Sequence, residues 1–148
     1  MNYLQEALEE AQIGVNNKEG GPFGAVIVSK DGQIIAKANN QVLKNNDPTA
    51  HAEIMAIRQA CQILSTTNLE DYTIYSTCEP CPMCLSAIAW ANIKTIYYAS
   101  TRKEAKQAGF KDDDIYEYIK GNNTMIKKVK IDDKKADEFL LNYNGNRY

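Results

Sequence analysis

The apolar positions of this chain change period several times, and each change marks an element. Between residues 2 and 17, Tyr3, Leu4, Ala7, Leu8, Ala11 and Val15 recur at helical spacing, with Glu6, Glu9 and Glu10 between them. One apolar face and one charged face predict an amphipathic helix. Gly20-Gly21-Pro22 ends it. Two short apolar runs, 25–28 and 34–38, flank Lys30-Asp31-Gly32 and read as a β-hairpin. Asn39 to Pro48 is polar and predicts a loop. The helical period returns over 50–62, where Ala50, Ile54, Ile57 and Cys61 share a face and Asp47 or Thr49 is a candidate cap. Residues 72–77 are strand-like. Residues 82–91 are helical, with Pro82 in the first turn, where a missing N–H costs little. Residues 93–99 again predict a strand. Further on, helical stretches surround one strand-like run, 125–131, and a last helix over 132–142 precedes the tail, 142–148.

Strands alternating with helices place the chain in the α/β class, a sheet layered by helices. No repeat or linker divides the 148 residues, so a single domain with a substantial core is expected. The composition, 44% hydrophobic and 24% charged, is that of a globular protein, and a net charge of −2 leaves no basic footprint for nucleic acid. A small substrate suits it better than a polyanion. No apolar run approaches the roughly 20 residues that span a bilayer. The acidic, amphipathic start is unlike a signal peptide, and a cytoplasmic location is expected. Four cysteines in such a protein point to metal or redox chemistry rather than to a disulfide frame.

Two motifs carry the chemistry. His51-Ala52-Glu53 contains the only histidine, and Pro80-Cys81-Pro82-Met83-Cys84 follows about thirty residues later. One imidazole and two thiolates supply three ligands for Zn²⁺ and leave a fourth tetrahedral position for water. Glu53 is the carboxylate placed to move that water's protons. His51 and the cysteine pair both fall at predicted helix starts, where unpaired N–H groups and partial positive charge favour thiolate and stabilise developing negative charge. The backbone N–H of Ala52 is a candidate donor to the substrate. Two other readings exist. Cys81 and Cys84 alone resemble a redox pair, which leaves His51 and Glu53 without a purpose. Cys78, at a further C-x-x-C spacing, would close a structural zinc site, with no room for water and no need of Glu53.

The H-x-E…P-C-x-x-C pattern resembles the cytidine deaminase-like superfamily of zinc-dependent nucleobase deaminases. Asp47-Pro48-Thr49-Ala50-His51-Ala52-Glu53-Ile54, Glu79-Pro80-Cys81-Pro82-Met83-Cys84 and the Gly20–Ala25 stretch carry the resemblance. Within that group, Ser76–Cys84 and Ala108-Gly109-Phe110-Lys111-Asp112-Asp113-Asp114-Ile115-Tyr116 are most similar to bacterial guanine deaminases. The tRNA adenosine deaminases share the D-P-T-A-H-A-E segment and are the alternative. The resemblance implies a three-layer α/β/α sandwich around a five-stranded mixed sheet, a homodimer, a zinc cofactor on His51, Cys81 and Cys84, and guanine as substrate. It further implies Glu53 and Asp112 as catalytic residues, with Asp112 also contacting the base, Asn40 as a hydrogen-bonding substrate residue, and Phe23, Trp90 and Phe110 as apolar walls. Tyr148 ends a tail that would act as a lid over the pocket, lent by the partner subunit.

Overall fold

The computed structural model describes residues 1–148. Along the chain run α1 (Tyr3–Asn16), β1 (Gly24–Ser29), β2 (Ile34–Asn39), α2 (Val42–Asn45), α3 (Ala52–Leu64), β3 (Tyr72–Cys78), α4 (Pro82–Trp90), β4 (Ile96–Ser100), α5 (Arg102–Gln107), α6 (Asp112–Ile119) and α7 (Lys134–Leu141). The strands form one four-stranded mixed sheet in the order β2-β1-β3-β4. β1 is antiparallel to β2 and to β3, whereas β3 and β4 are parallel. A parallel pair needs a crossover, and α4 provides it.

Alternate side chains of a strand point to opposite faces. Ala25 and Ile27 of β1 join Ala52, Ala56 and Ala60 of α3 and Ile88 of α4 in the larger core cluster. Val26 and Val28 join Ala7 of α1 in the smaller one. Helices therefore cover both faces, and β1 is apolar throughout because both its faces are buried. α1 crosses so closely that a Cβ on Gly24 would run into the Ala7 carbonyl. Tyr3, Tyr75 and Tyr97 extend the α1 side as a ladder, with ring centroids 5.0 and 4.9 Å apart.

Four expectations are corrected. The sheet has four strands, not five, because the run 125–131 is exposed and finds no strand partner within this chain. The 39–48 loop contains a one-turn helix, α2, closed by Asn46 in the left-handed conformation at φ 48°. Neither Asp47 nor Thr49 caps α3. Asp47 instead accepts from the Thr49 N–H (2.9 Å) and hydroxyl (2.7 Å), a local turn that competes with capping. The N-cap of α3 is His51. β4 begins at Ile96 rather than at Ile93, which is buried in the core ahead of the strand.

Candidate metal centre and active site

β3 ends at Cys78, paired with Ser100 at the end of β4. Open α/β sheets bind ligands beyond the carboxyl ends of parallel strands, and here the helix starts of α3 and α4 meet beside that edge. His51 and Cys81 are the two N-cap residues, both in extended backbone (ψ 157° and 169°), and neither side chain is spent on capping. Cys84 lies three positions into α4, nearly one turn from Cys81. The His51 Nδ1 is 3.6 Å from Cys81 Sγ and 3.5 Å from Cys84 Sγ. All three ligand atoms fall within 4.8 Å of one another. Tetrahedral zinc, with Zn–N about 2.0 Å and Zn–S about 2.3 Å, separates nitrogen from sulfur by about 3.5 Å. The donor set and its spacing fit zinc.

Charge is divided unequally within this group. Cys84 hydrogen-bonds Cys81 and holds its thiol down to about 4, with His51 assisting against the opposing effect of burial. The same bond, together with burial, pushes the Cys84 thiol up. The contact with Cys81 raises His51 above its ordinary value despite burial. Ligation of a cation requires both sulfurs as thiolates, so metal binding here releases protons. Cys78 stands apart. Its Sγ lies 3.8 Å from the Thr101 carbonyl, outside the ligand group, and burial pushes its thiol up to about 12. Its place outside the ligand group is what counts, and the closed four-ligand reading finds no support in the geometry.

Glu53 sits at the second position of α3 and is buried. Its Oε1 accepts a hydrogen bond from Ser76 Oγ at 2.7 Å. Ser76 is fully buried on β3; sequence reasoning missed it. The signal was present: Ile74, Ser76 and Cys78 occupy the buried phase of the strand, and a hydroxyl at a core-facing position needs a partner.

His51, Glu53 and Cys81 form the floor of a cavity of about 410 Å³, whose walls include Asn40, Asp112, Phe23 and Phe110. Small-molecule sites have such volumes. Phe23 and Phe110 meet edge to face, with centroids 4.9 Å apart. The Asn40 Oδ1 accepts from the Val42 N–H at 3.0 Å, which leaves its NH₂ as the free donor. Gly20 packs against this residue so tightly that a Cβ there would collide with the Asn40 Oδ1 and carbonyl. Neighbouring Asn39 is engaged elsewhere, donating to the Asn40 carbonyl (3.1 Å) and Glu19 Oε2 (3.4 Å).

Asp112 is the first residue of α6 and is half-buried in the cavity wall. Burial, then the Cys81 charge, pushes its carboxyl up. Asp113 instead pairs with Arg102 (3.5 Å) and Lys106 (3.4 Å), and Asp114 is exposed. Ala52 is fully buried at the first position of α3 and its side chain does not line the cavity, so only its backbone is available to a ligand. The cavity is also lined by Glu79, Leu43, Pro48 and Gly21, none of them named from the sequence as a site residue. Pro48 and Leu43 reach it because the 39–48 segment folds back over the site, a placement no local pattern encodes.

Trp90 and Tyr148 are not brought to this cavity. Trp90 is the last residue of α4, 65% exposed, and lies against the 78% exposed Tyr148, with centroids 5.7 Å apart. The reason is geometric. The metal-ligating residues occupy the start of α4, and nine residues of helix carry the chain roughly 13 Å away.

The family described as "Cytidine and deoxycytidylate deaminase zinc-binding region" matches residues 1–100. The guanine deaminase of Bacillus subtilis (strain 168) is 54% identical over 117 residues, covering 79% of this chain and 74% of that protein. A tRNA-specific adenosine deaminase from Rickettsia bellii is 46% identical over 99 residues, covering 66% of this chain and 68% of that one. The X-ray structure of guanine deaminase from Bacillus subtilis superposes with a TM-score of 0.88 at 42% identity, covering 100% of this chain and 99% of that chain. With its His/Cys/Cys group suited to zinc, the chain belongs to the cytidine and deoxycytidylate deaminase family of zinc-binding enzymes.

Proposed function

We propose that this enzyme hydrolyses guanine to xanthine and ammonia. The observation that carries the reading is the placement of a donor, the Asn40 NH₂, and an acceptor, Asp112, in the cavity that also holds Glu53 and the zinc-ligand group. Guanine offers complementary groups: acceptors at O6 and N7, and donors at N1–H and the 2-amino group. Asn40 donates to O6 or N7, and Asp112 accepts from the donor edge. Phe23 and Phe110 give the flat base an apolar wall. The similarity to the Bacillus subtilis guanine deaminase extends past residue 100 into the segment that holds Asp112, since its structure covers the whole chain.

Zinc, when bound, supplies the Lewis acid that makes water a nucleophile near neutral pH. The chain's residues manage the protons. Glu53 takes one from the water that attacks C2 and delivers it to N3. It then helps protonate the amine, which leaves as ammonia while the C2–O bond of xanthine remains. Ser76 holds one Glu53 oxygen and so restrains the carboxylate that exchanges these protons. The first N–H groups of α3, including that of Ala52, favour negative charge developing on the base.

Incubating the purified protein separately with guanine, cytosine, adenine and a tRNA anticodon stem, and measuring ammonia, tests the reading. Release from guanine alone is expected. Release from the tRNA stem and none from guanine would replace it with the adenosine-editing alternative.

The enzyme acts as a homodimer that exchanges C-terminal tails. Every residue from 124 to 148 is exposed, including Phe139, Leu140 and Leu141 on α7. Tyr97 and Tyr98 are exposed on the edge strand β4. Exposed apolar side chains in such number mark an interaction face, and a second copy supplies the matching one. In that arrangement Tyr148 serves the partner's cavity as a lid. No helix is long and apolar enough to cross a membrane, and the four unpaired cysteines suit the reducing cytoplasm.

A further inference from the structure

α6 carries Asp112 into the cavity wall, yet none of its residues is buried. Two side chains tie it to the metal-ligating loop. Tyr116 lies one helical turn after Asp112 and so shares its face of the helix. Its hydroxyl donates to the Pro80 carbonyl at 2.6 Å. Arg102, the first residue of α5, lies over the Tyr116 ring with its guanidinium carbon 4.6 Å from the centroid. The Arg102 Nε is 3.5 Å from Asp113 Oδ1, and its backbone N–H donates to Glu79 Oε1 at 3.1 Å. Glu79 and Pro80 immediately precede the ligand Cys81. The acid that faces the substrate and the loop that ligates the metal are therefore tied through one phenol, clasped by one guanidinium.

We propose that Tyr116 is a positioning residue: by hydrogen-bonding the Pro80 carbonyl beneath Arg102, it fixes Asp112 relative to the metal-ligating loop and so sets how the purine meets the attacking water. The inference rests on the reading of Asp112 as the acceptor for guanine. The physical argument is one of tolerance. Proton transfer and attack require reacting groups within a few tenths of an ångström of their places, and a shift of about 1 Å costs as much as 10²-fold in rate. A helix whose residues are at most partly buried gains little of that tolerance by packing. The hydrogen bond supplies it, and its acceptor lies in the loop that must remain in register with Asp112. Asp113 adds to the clasp through Arg102, which gives the second aspartate a task distinct from the first.

The test is a double-mutant cycle on the zinc-loaded enzyme with guanine. Tyr116→Phe keeps the ring and removes only the hydroxyl. It is expected to retain one zinc per chain and to lower kcat/KM by roughly tenfold to a hundredfold. Placed on Asp112→Asn, the same change is expected to cost less than about twofold, since the residue it positions is already disabled. Arg102→Met, which removes the clasp without touching the hydroxyl, should show the same dependence on Asp112. Wild-type rates for Tyr116→Phe, or an equal loss with and without Asp112, would overturn the positioning role and leave guanine as substrate intact. No guanine turnover by the wild-type enzyme would overturn both.

Discussion

Two regions of the molecule hold their functional residues in opposite ways. His51, Glu53, Cys81 and Cys84 sit at the starts of helices that pack directly on the sheet, and Ala52, Cys84 and Ser76 around them are fully buried. From α6 onward no residue is buried, and the helix that carries Asp112 is held through Tyr116 and Asp113 by a hydrogen bond, a stacked guanidinium and ion pairs. The first region shows how a site gains precision from rotamers locked by packing. The second shows how a residue of the cavity wall is attached to that frame from outside. Groups that activate water and move protons need a rigid frame. Asp112, the proposed acceptor for the base, stands on an element that contributes little to the core, where substitution changes the fold least.

The sharpest way to test the division is Glu53→Gln. It should retain one zinc per chain and lower kcat by about 10²–10⁴-fold, the usual worth of a positioned acid–base. Full activity in this variant would remove Glu53 from the chemistry. Ser76→Ala comes next. A hydrogen bond to a carboxylate is worth about 1.5–3 kcal/mol, so kcat should fall about tenfold or more with KM little changed, and a rise in KM alone would place Ser76 on the substrate side instead. Deleting residues 142–148 probes the loosely held region. If Tyr148 caps the partner's cavity, KM for guanine should rise about two- to tenfold, the range of one aromatic contact; unchanged turnover and affinity would dispose of the lid. The smallest effect is expected from Cys78→Ser. Metal content and rate should stay within about twofold, because the Cys78 sulfur faces the Thr101 carbonyl and is no ligand. Loss of zinc on that change would restore the closed-site reading.

Much of the site was legible because its spacing is local. His51-Ala52-Glu53 and Cys81-x-x-Cys84 each fall within one turn at a helix start, so residue type and separation along the chain already specify the donor set. Asp112 and Asn40 were legible only through family resemblance, since an aspartate in a run of three and one of two adjacent asparagines carry no local signal. Ser76 went unread although its alternation was visible, because which partner satisfies a buried hydroxyl depends on the neighbouring helix. Trp90 and Tyr148 do not line the cavity of their own chain. Their aromatic character suits a purine pocket, but the length of α4 puts Trp90 at the far end from the ligands.

By itself the amino-acid order determined the periodic elements, the α/β class and the zinc-binding chemistry, because hydrophobic period and ligand spacing act over a few residues. Only the tertiary structure decided that Ser76 meets Glu53, that Asn40 lines the cavity, and that Tyr116 reaches Pro80 from 36 residues away. Those contacts join segments far apart in the chain, and their geometry exists only once the sheet and its two helical layers have brought the segments together.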